Sequence, residues 1–234
     1  MRRTGLLLVA VAAAAIITSG CSKTEGKKPA SSEQPARRSG AVGAGGAGAN
    51  LSDDDFVRDV ALKNMAEVEL SRLALEKATN PDIKSFAQRM IDDHGAAGHN
   101  LQSVVSGQRI EWPVQLDDKH RKTADELAKK RGANFDRDYV KTMVQDHQDL
   151  AAKLESRLDV QSLADWKTAA AGRSDSKALP EPNVAMRDVQ VRPNKSENGV
   201  TMKINQWAAD TYPVAQKHLD TARTLETANK HSTN

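Results

Sequence analysis

Apolar residues recur along this chain at three- and four-residue spacing, the period of a helix with one buried face, and no stretch alternates as a strand would. Ser52 followed by Asp53, Asp54 and Asp55 predicts a helix N-cap with acids in the first turn, opening a helix that runs to about Thr79. Asn80-Pro81 predicts a stop and an immediate restart, with Asn as the cap and Pro at the first helical position. The second helix runs to about Ser106 and ends at Gly107, and Trp112-Pro113 falls in a connecting loop. A third helical stretch begins near Asp117-Asp118, is interrupted around Gly132-Ala133-Asn134, and resumes from Asp136 to about Leu163.

Arg173 to Gly199 breaks the pattern with three prolines and mixed charge, and reads as a long exposed insertion. Helical patterning returns at about Val200 and continues to Ala228, with Tyr212-Pro213 expected to kink or divide it. The fold class is therefore all-α, an antiparallel helical bundle over residues 51–228. Residues 172–199 form an irregular insertion and 229–234 a tail. An internal echo supports helix pairs used twice. Phe86, Met90, Asp93 and His94 repeat the spacing of Tyr139, Met143, Asp146 and His147.

The beginning of the chain follows different rules. Arg2 and Arg3 precede an uninterrupted apolar run from Leu6 to Ile17, and the small residues Thr18-Ser19-Gly20 lead into Cys21. That run is too short for a transmembrane helix and suits a secretory signal over residues 1–20. Cys21 is the only cysteine, so it has no internal disulfide partner. The four residues ending there resemble the lipobox of bacterial lipoproteins, which implies acylation of Cys21 and a lipid anchor in the membrane. Ser22 after it resembles the pattern for outer-membrane sorting, with the protein facing the periplasm. Residues 21–50, rich in Gly, Ala, Ser and Pro, read as a flexible tether.

Charge excludes one class of partner. The full chain carries 34 basic and 31 acidic residues, and loss of Arg2 and Arg3 would leave it almost neutral, which argues against nucleic-acid binding. No Ser/His/Asp order, nucleophilic cysteine or paired catalytic carboxylates stand out to support hydrolysis.

The candidate chemistry lies with the histidines. Placed on their helical faces, His94, His147 and His218 have apolar or small neighbours, whereas His99 sits on a solvent-like face, His120 near a helix start and His231 in the tail. The first helix offers Glu69 within a largely apolar stripe, while Glu67, beside Lys63, Asn64 and Ser71, reads as outward. One inward polar residue per helix suggests a common meeting point at Glu69, His94, His147 and His218. Imidazole and carboxylate together suit Zn, Cu, Fe or Mn. A metal-free polar cluster and scattered, unrelated positions remain open beside the metal site. Met65, Met90 and Met143 offer soft sulfur for copper, although such methionines more often fill cores.

Four motifs then carry a resemblance: Glu67-Val-Glu-Leu70, Phe86 to Met90 with Asp93-His94, Asn134 to Tyr139 with His147, and Tyr212-Pro213 with His218-Leu219. Over roughly 52–228, apart from the insertion, they resemble the bacterial family called domain of unknown function 4142. The resemblance implies an exported protein with a ferritin-like four-helix fold and supplies no activity. Di-iron proteins of that wider fold use Glu-x-x-His on two helices, and here Ile91 and Val144 stand where the glutamates would be. Any site is therefore expected to hold one metal ion and to be rich in histidine. The readings that follow are an uncharacterised envelope lipoprotein with a metal in its core, a periplasmic metal-dependent redox or stress-protection enzyme, and a structural module that contacts an envelope partner through its insertion.

Overall fold

The computed structural model describes residues 51–171 and 189–231, with side chains to Asn229. The expected signal peptide, Cys21, the tether, most of the insertion and the last tail residues lie outside the described residues. Six helices make up the fold: α1 (Asp53–Lys77), α2 (Pro81–Val104), α3 (Asp118–Ala128), α4 (Gly132–Glu155), α5 (Val160–Ala171) and α6 (Gly199–His231). The protein is all-helical among these residues, apart from one isolated bridge between Leu158 and Pro193. None of the described helices is long and apolar enough to cross a membrane.

The helix starts follow local chemistry. Ser52 Oγ accepts from the backbone N–H of Asp55 at 3.1 Å, Asn80 Oδ1 from Asp82 at 2.8 Å, and Asp117 Oδ1 from His120 at 2.9 Å. Gly132 opens α4 with φ +55°, a left-handed value that glycine adopts freely, so the third stretch is two helices meeting there. Two expectations need correction. The helix expected to reach Leu163 ends at Glu155, because the Asp159 carboxylate accepts from Ser162 N at 2.9 Å and starts α5. The last helix is not divided at Pro213, which lies inside an unbroken α6. Burial of Tyr212, Ala209 and Ala215 on the neighbouring α6 turns holds the helix together there despite the missing N–H.

α1 packs on α2 and α4, and α6 packs on α4 and α2, while α3 lies chiefly against α1. Two apolar clusters fill the interior. One holds Phe56, Val60, Leu101, Leu150, Leu154 and Ile204, and the other holds Leu70, Phe86, Met90, Tyr139, Met143 and Ala222. The first cluster gathers the starts of α1 and α6 with the ends of α2 and α4, so each packed pair of long helices runs antiparallel. Between the clusters every long helix contributes polar residues: Asn64 and Glu67, His94, His147 and His218, all buried.

The described part of the insertion is exposed at Gln190, Arg192, Lys195, Glu197 and Asn198, as expected, but it is also anchored to the bundle. Val191 is buried, Arg192 O accepts from Asp159 N at 2.8 Å, and Asn194 N donates to Arg157 O at 2.8 Å. Arg157 then clamps the start of α1. It lies 4.4 Å over the Phe56 ring, and it donates to Asp53, Leu51 O and Ser52 O. Backbone that must satisfy its polar groups finds partners here in the turn between α4 and α5 rather than in water.

Candidate metal centre

Each long helix delivers its polar residue because of what flanks it one turn away. His94 follows Met90, His147 lies between Met143 and Leu150, and His218 lies between Ala215 and Ala222, all buried. The apolar neighbours fix the helix face, and the imidazole goes inward with them. The three ring centroids form a nearly equilateral triangle with sides of 5.2, 5.3 and 5.5 Å. One nitrogen of each ring lies within 4.8 Å of the chosen nitrogens of the other two.

Hydrogen bonding on the far side of each ring fixes its tautomer. His147 Nδ1 faces the Met143 carbonyl at 2.9 Å, so it carries the proton and leaves Nε2 bare. His94 Nδ1 faces Asn64 Oδ1 at 2.9 Å and the Glu67 carboxylate at 2.7 Å, both acceptors, so its Nε2 is bare too. His218 Nε2 faces Asp93 Oδ2 at 2.8 Å, leaving Nδ1 bare and buried with no hydrogen-bond partner. Three lone pairs therefore converge, and the Nε2 atoms of His94 and His147 stand only 3.3 Å apart. Two bare nitrogens at that distance repel, but a tetrahedral ion with bonds of about 2.0–2.1 Å separates its nitrogens by about 3.4 Å.

Glu67 sits behind the rings. Its side chain is 1 % exposed, and Oε1 lies 3.8 Å from His147 Nδ1. Although Oε2 is close to His94 Nδ1, it lies off the line of that N–H, which serves Asn64, and neither carboxylate oxygen has a properly aligned donor. Such an arrangement is the carboxylate–histidine support found outside metal ligands, where it orients the ring and raises its basicity. Burial alone would raise the Glu67 carboxyl, but the charges of His94 and His147 outweigh it and hold the group down at about 2. Burial lowers His147, opposed by the Glu67 charge. His218 is pushed down to about 4 by burial and by the charges of its two partner rings, against the pull of Asp93. His147 and His218, so disfavoured as cations, keep their lone pairs at neutral pH.

The structure brings together His94, His147 and His218 and leaves Glu69 out. Glu69 is corrected as a ligand: its side chain is 48 % exposed and pairs with Arg72 at 3.7 Å. Glu67, read as outward, is the buried acid. Its neighbours Lys63, Asn64 and Ser71 looked like solvent-facing company, yet all three are themselves buried. The signal that could have found it lies one turn further out, where Val60 and Ala74 share its face. Asn64 and Asp93 were missed as ring partners for the same reason. Met90 and Met143 belong to an apolar cluster, and Met65 lines a surface groove. His99 is exposed, and His120 pairs with Asp117 at 2.6 Å.

A family model described as Domain of unknown function (DUF4142) matches residues 39–175, more than half of the chain. The chain belongs to the DUF4142 family. The match takes in Glu67, His94 and His147, whereas His218, on α6, lies beyond its end. The resemblance at Tyr212-Pro213 and His218-Leu219 is therefore outside the matched segment. No curated protein and no solved structure matches this DUF4142 chain.

Proposed function

We propose that this protein binds one transition-metal ion in the core of a ferritin-like four-helix bundle, held by His94 Nε2, His147 Nε2 and His218 Nδ1. The observation that carries the reading is the set of three bare ring nitrogens turned toward one another, each ring held from behind by Asn64 and Glu67, Met143 O or Asp93. A buried polar atom without a partner costs about 1–3 kcal/mol, and this layer keeps Asn64 Nδ2, both Glu67 oxygens and His218 Nδ1 in that condition. Of these, His218 Nδ1 is the one that an ion at the rings would satisfy, and the same ion would relieve the contact between the bare Nε2 atoms of His94 and His147. The all-nitrogen set suits Zn, Cu or Fe better than Mn, which prefers oxygen. The antiparallel contacts of α1, α2, α4 and α6 support the bundle, and Ile91 and Val144 support one ion rather than two.

The same proposal places the domain outside the cytoplasm. Cys21 would carry the lipid anchor, with Ser22 directing it to the outer membrane and residues 21–50 tethering it on the periplasmic side. The support is the order of the n-region, apolar run and small residues before that cysteine.

Elemental analysis of the purified full chain tests the metal. One ion per chain is expected after reconstitution with Zn, Cu, Fe or Mn, and none in a His94/His147/His218→Ala triple variant. Absence of stoichiometric metal from the parent chain after all four reconstitutions would overturn the reading.

A further inference from the structure

His147 and His218 are almost fully enclosed, and the apolar clusters block the way along the helix axes. The seam between α2 and α6 is closed at this level by the hydrogen bond from His218 to Asp93. On the α1–α2 side there is instead a groove of about 650 Å³, roofed in part by Trp112 and Leu116 of the loop before α3, which reaches both His94 and Asn64. Its depth comes from missing side chains. Gly95 and Gly98 lie three apart, on one side of α2, and both line it.

Glycine inside a helix destabilises it relative to alanine, so two of them on one face work against the helix unless space there is needed. A Cβ at Gly95 would meet nothing within 4 Å, and one at Gly98 would meet only Asn64, at 3.8 Å. The backbone therefore tolerates side chains at both positions, and what the glycines preserve is the opening. At its floor, Asn64 is 3 % exposed and its Nδ2 has no partner, while its Oδ1 holds His94 Nδ1. Glu67 Oε2 stands 2.7 Å from that same nitrogen, while Oε1 has no hydrogen-bond donor and lies 3.8 Å from His147 Nδ1.

We propose that this groove is the route by which a divalent transition-metal ion reaches and leaves the three histidines, with Asn64 Oδ1 and the Glu67 carboxylate as its inner relay. The proposal rests on the metal reading above. An incoming hydrated cation sheds water onto oxygen donors before it meets the rings. Oε1 of Glu67 is suited to that step because no hydrogen bond to it has to break first.

The test uses the full chain and Co²⁺, followed by its visible absorption, with loading by mixing and release into excess chelator. Gly95→Leu and Gly98→Leu fill the groove and favour the helix, so both variants are expected to fold. Ala96→Leu, on an exposed position that does not line the groove, is the control. Each groove variant is expected to slow loading and release together by about tenfold or more, with Kd within about threefold of the parent and the control unchanged. Unaltered rates in a parent chain that binds Co²⁺ would overturn the route and leave the metal site standing. A change in Kd through release alone would also overturn it, since the glycines would then be shaping the site. A parent chain that binds no Co²⁺ would overturn both.

Discussion

Two acids, Glu67 and Asp136, are buried among the described residues, and their surroundings are opposite. Asp136, near the start of α4, accepts from Thr79 N at 3.0 Å, Thr79 Oγ1 at 2.5 Å and Asn80 N at 3.0 Å, so it is satisfied by the turn between α1 and α2. Glu67, midway along α1, is more deeply buried and accepts no aligned hydrogen bond. A carboxylate that pins backbone N–H groups is there for the fold. One that is enclosed beside imidazoles with its oxygens uncommitted is costly to the fold, and its value lies in the chemistry of the layer.

The contrast breaks most visibly at Asp136. Asp136→Ala strands two partly buried backbone N–H groups and unties the turn between α1 and α2. Loss of about 3 kcal/mol is expected, or roughly 10 °C in melting temperature, read by thermal unfolding of the metal-free chain. A shift below about 1 kcal/mol would mean that water replaces the carboxylate easily and that the comparison is misdrawn.

Glu67→Gln sharpens the other side. The amide keeps the volume and removes a charge with no aligned donor, so metal-free stability should change by no more than about 1 kcal/mol. Metal affinity should fall about 10–100-fold, because the His94 ring loses the carboxylate that supports it from behind. Titration with a competing chelator measures this, and stability loss equal to that of Asp136→Ala would make Glu67 a structural acid instead.

A smaller, pH-dependent effect follows from the rings. His218 ionises near 4 in the folded chain against 6.5 ordinarily, so the unfolded chain binds the extra proton first. Stability of the metal-free protein is therefore complete above about pH 6.5 and falls as the pH drops toward 4. Glu67, held down at about 2 against 4.5, adds a second loss as the pH falls below about 4.5. Asp146, raised to about 6 by burial, works the other way between about pH 6 and 3.8. The readout is therefore the difference between parent and variant, and His218→Gln should flatten the loss of urea midpoint between about pH 6.5 and 4. Identical midpoint profiles for parent and variant would contradict the assigned tautomer of His218.

Much of this was legible beforehand, and the failures have a common origin. Helix starts at Ser52, Asn80 and Asp117 are written in three or four adjacent residues, and the Ser52 and Asn80 caps form as read. The inward histidines were legible because each sits alone in an apolar stripe. The break at Asp159 was missed because a single carboxylate competes with a pattern that otherwise continues into α5. The packing of Val191 was missed because it depends on backbone partners at Arg157 and Asp159, more than thirty positions away. On α1, the buried face is itself polar at Lys63, Asn64, Glu67 and Ser71, so hydrophobicity pointed the wrong way. Ser71, for example, is enclosed with its hydroxyl 2.9 Å from that of Tyr139.

That inversion makes the smallest effect the most discriminating. Glu69 lies two residues from Glu67, so the helix turns it about 200° away. Its apolar neighbours Leu62, Met65 and Leu73 belong to a wide belt that α1 needs because α2, α3 and α4 all pack on it. Glu69 stands at the exposed margin of that belt, and its ion pair among the described residues is a loose one with Arg72. Exposed pairs of this kind contribute between nothing and about 1 kcal/mol. Glu69→Gln should therefore leave melting temperature within about 2 °C and bound metal at the parent level, while Glu67→Gln lowers affinity. Loss of metal in the Glu69 variant would place the ion on the groove side of α1, and the buried carboxylate would no longer be the one that serves the histidines.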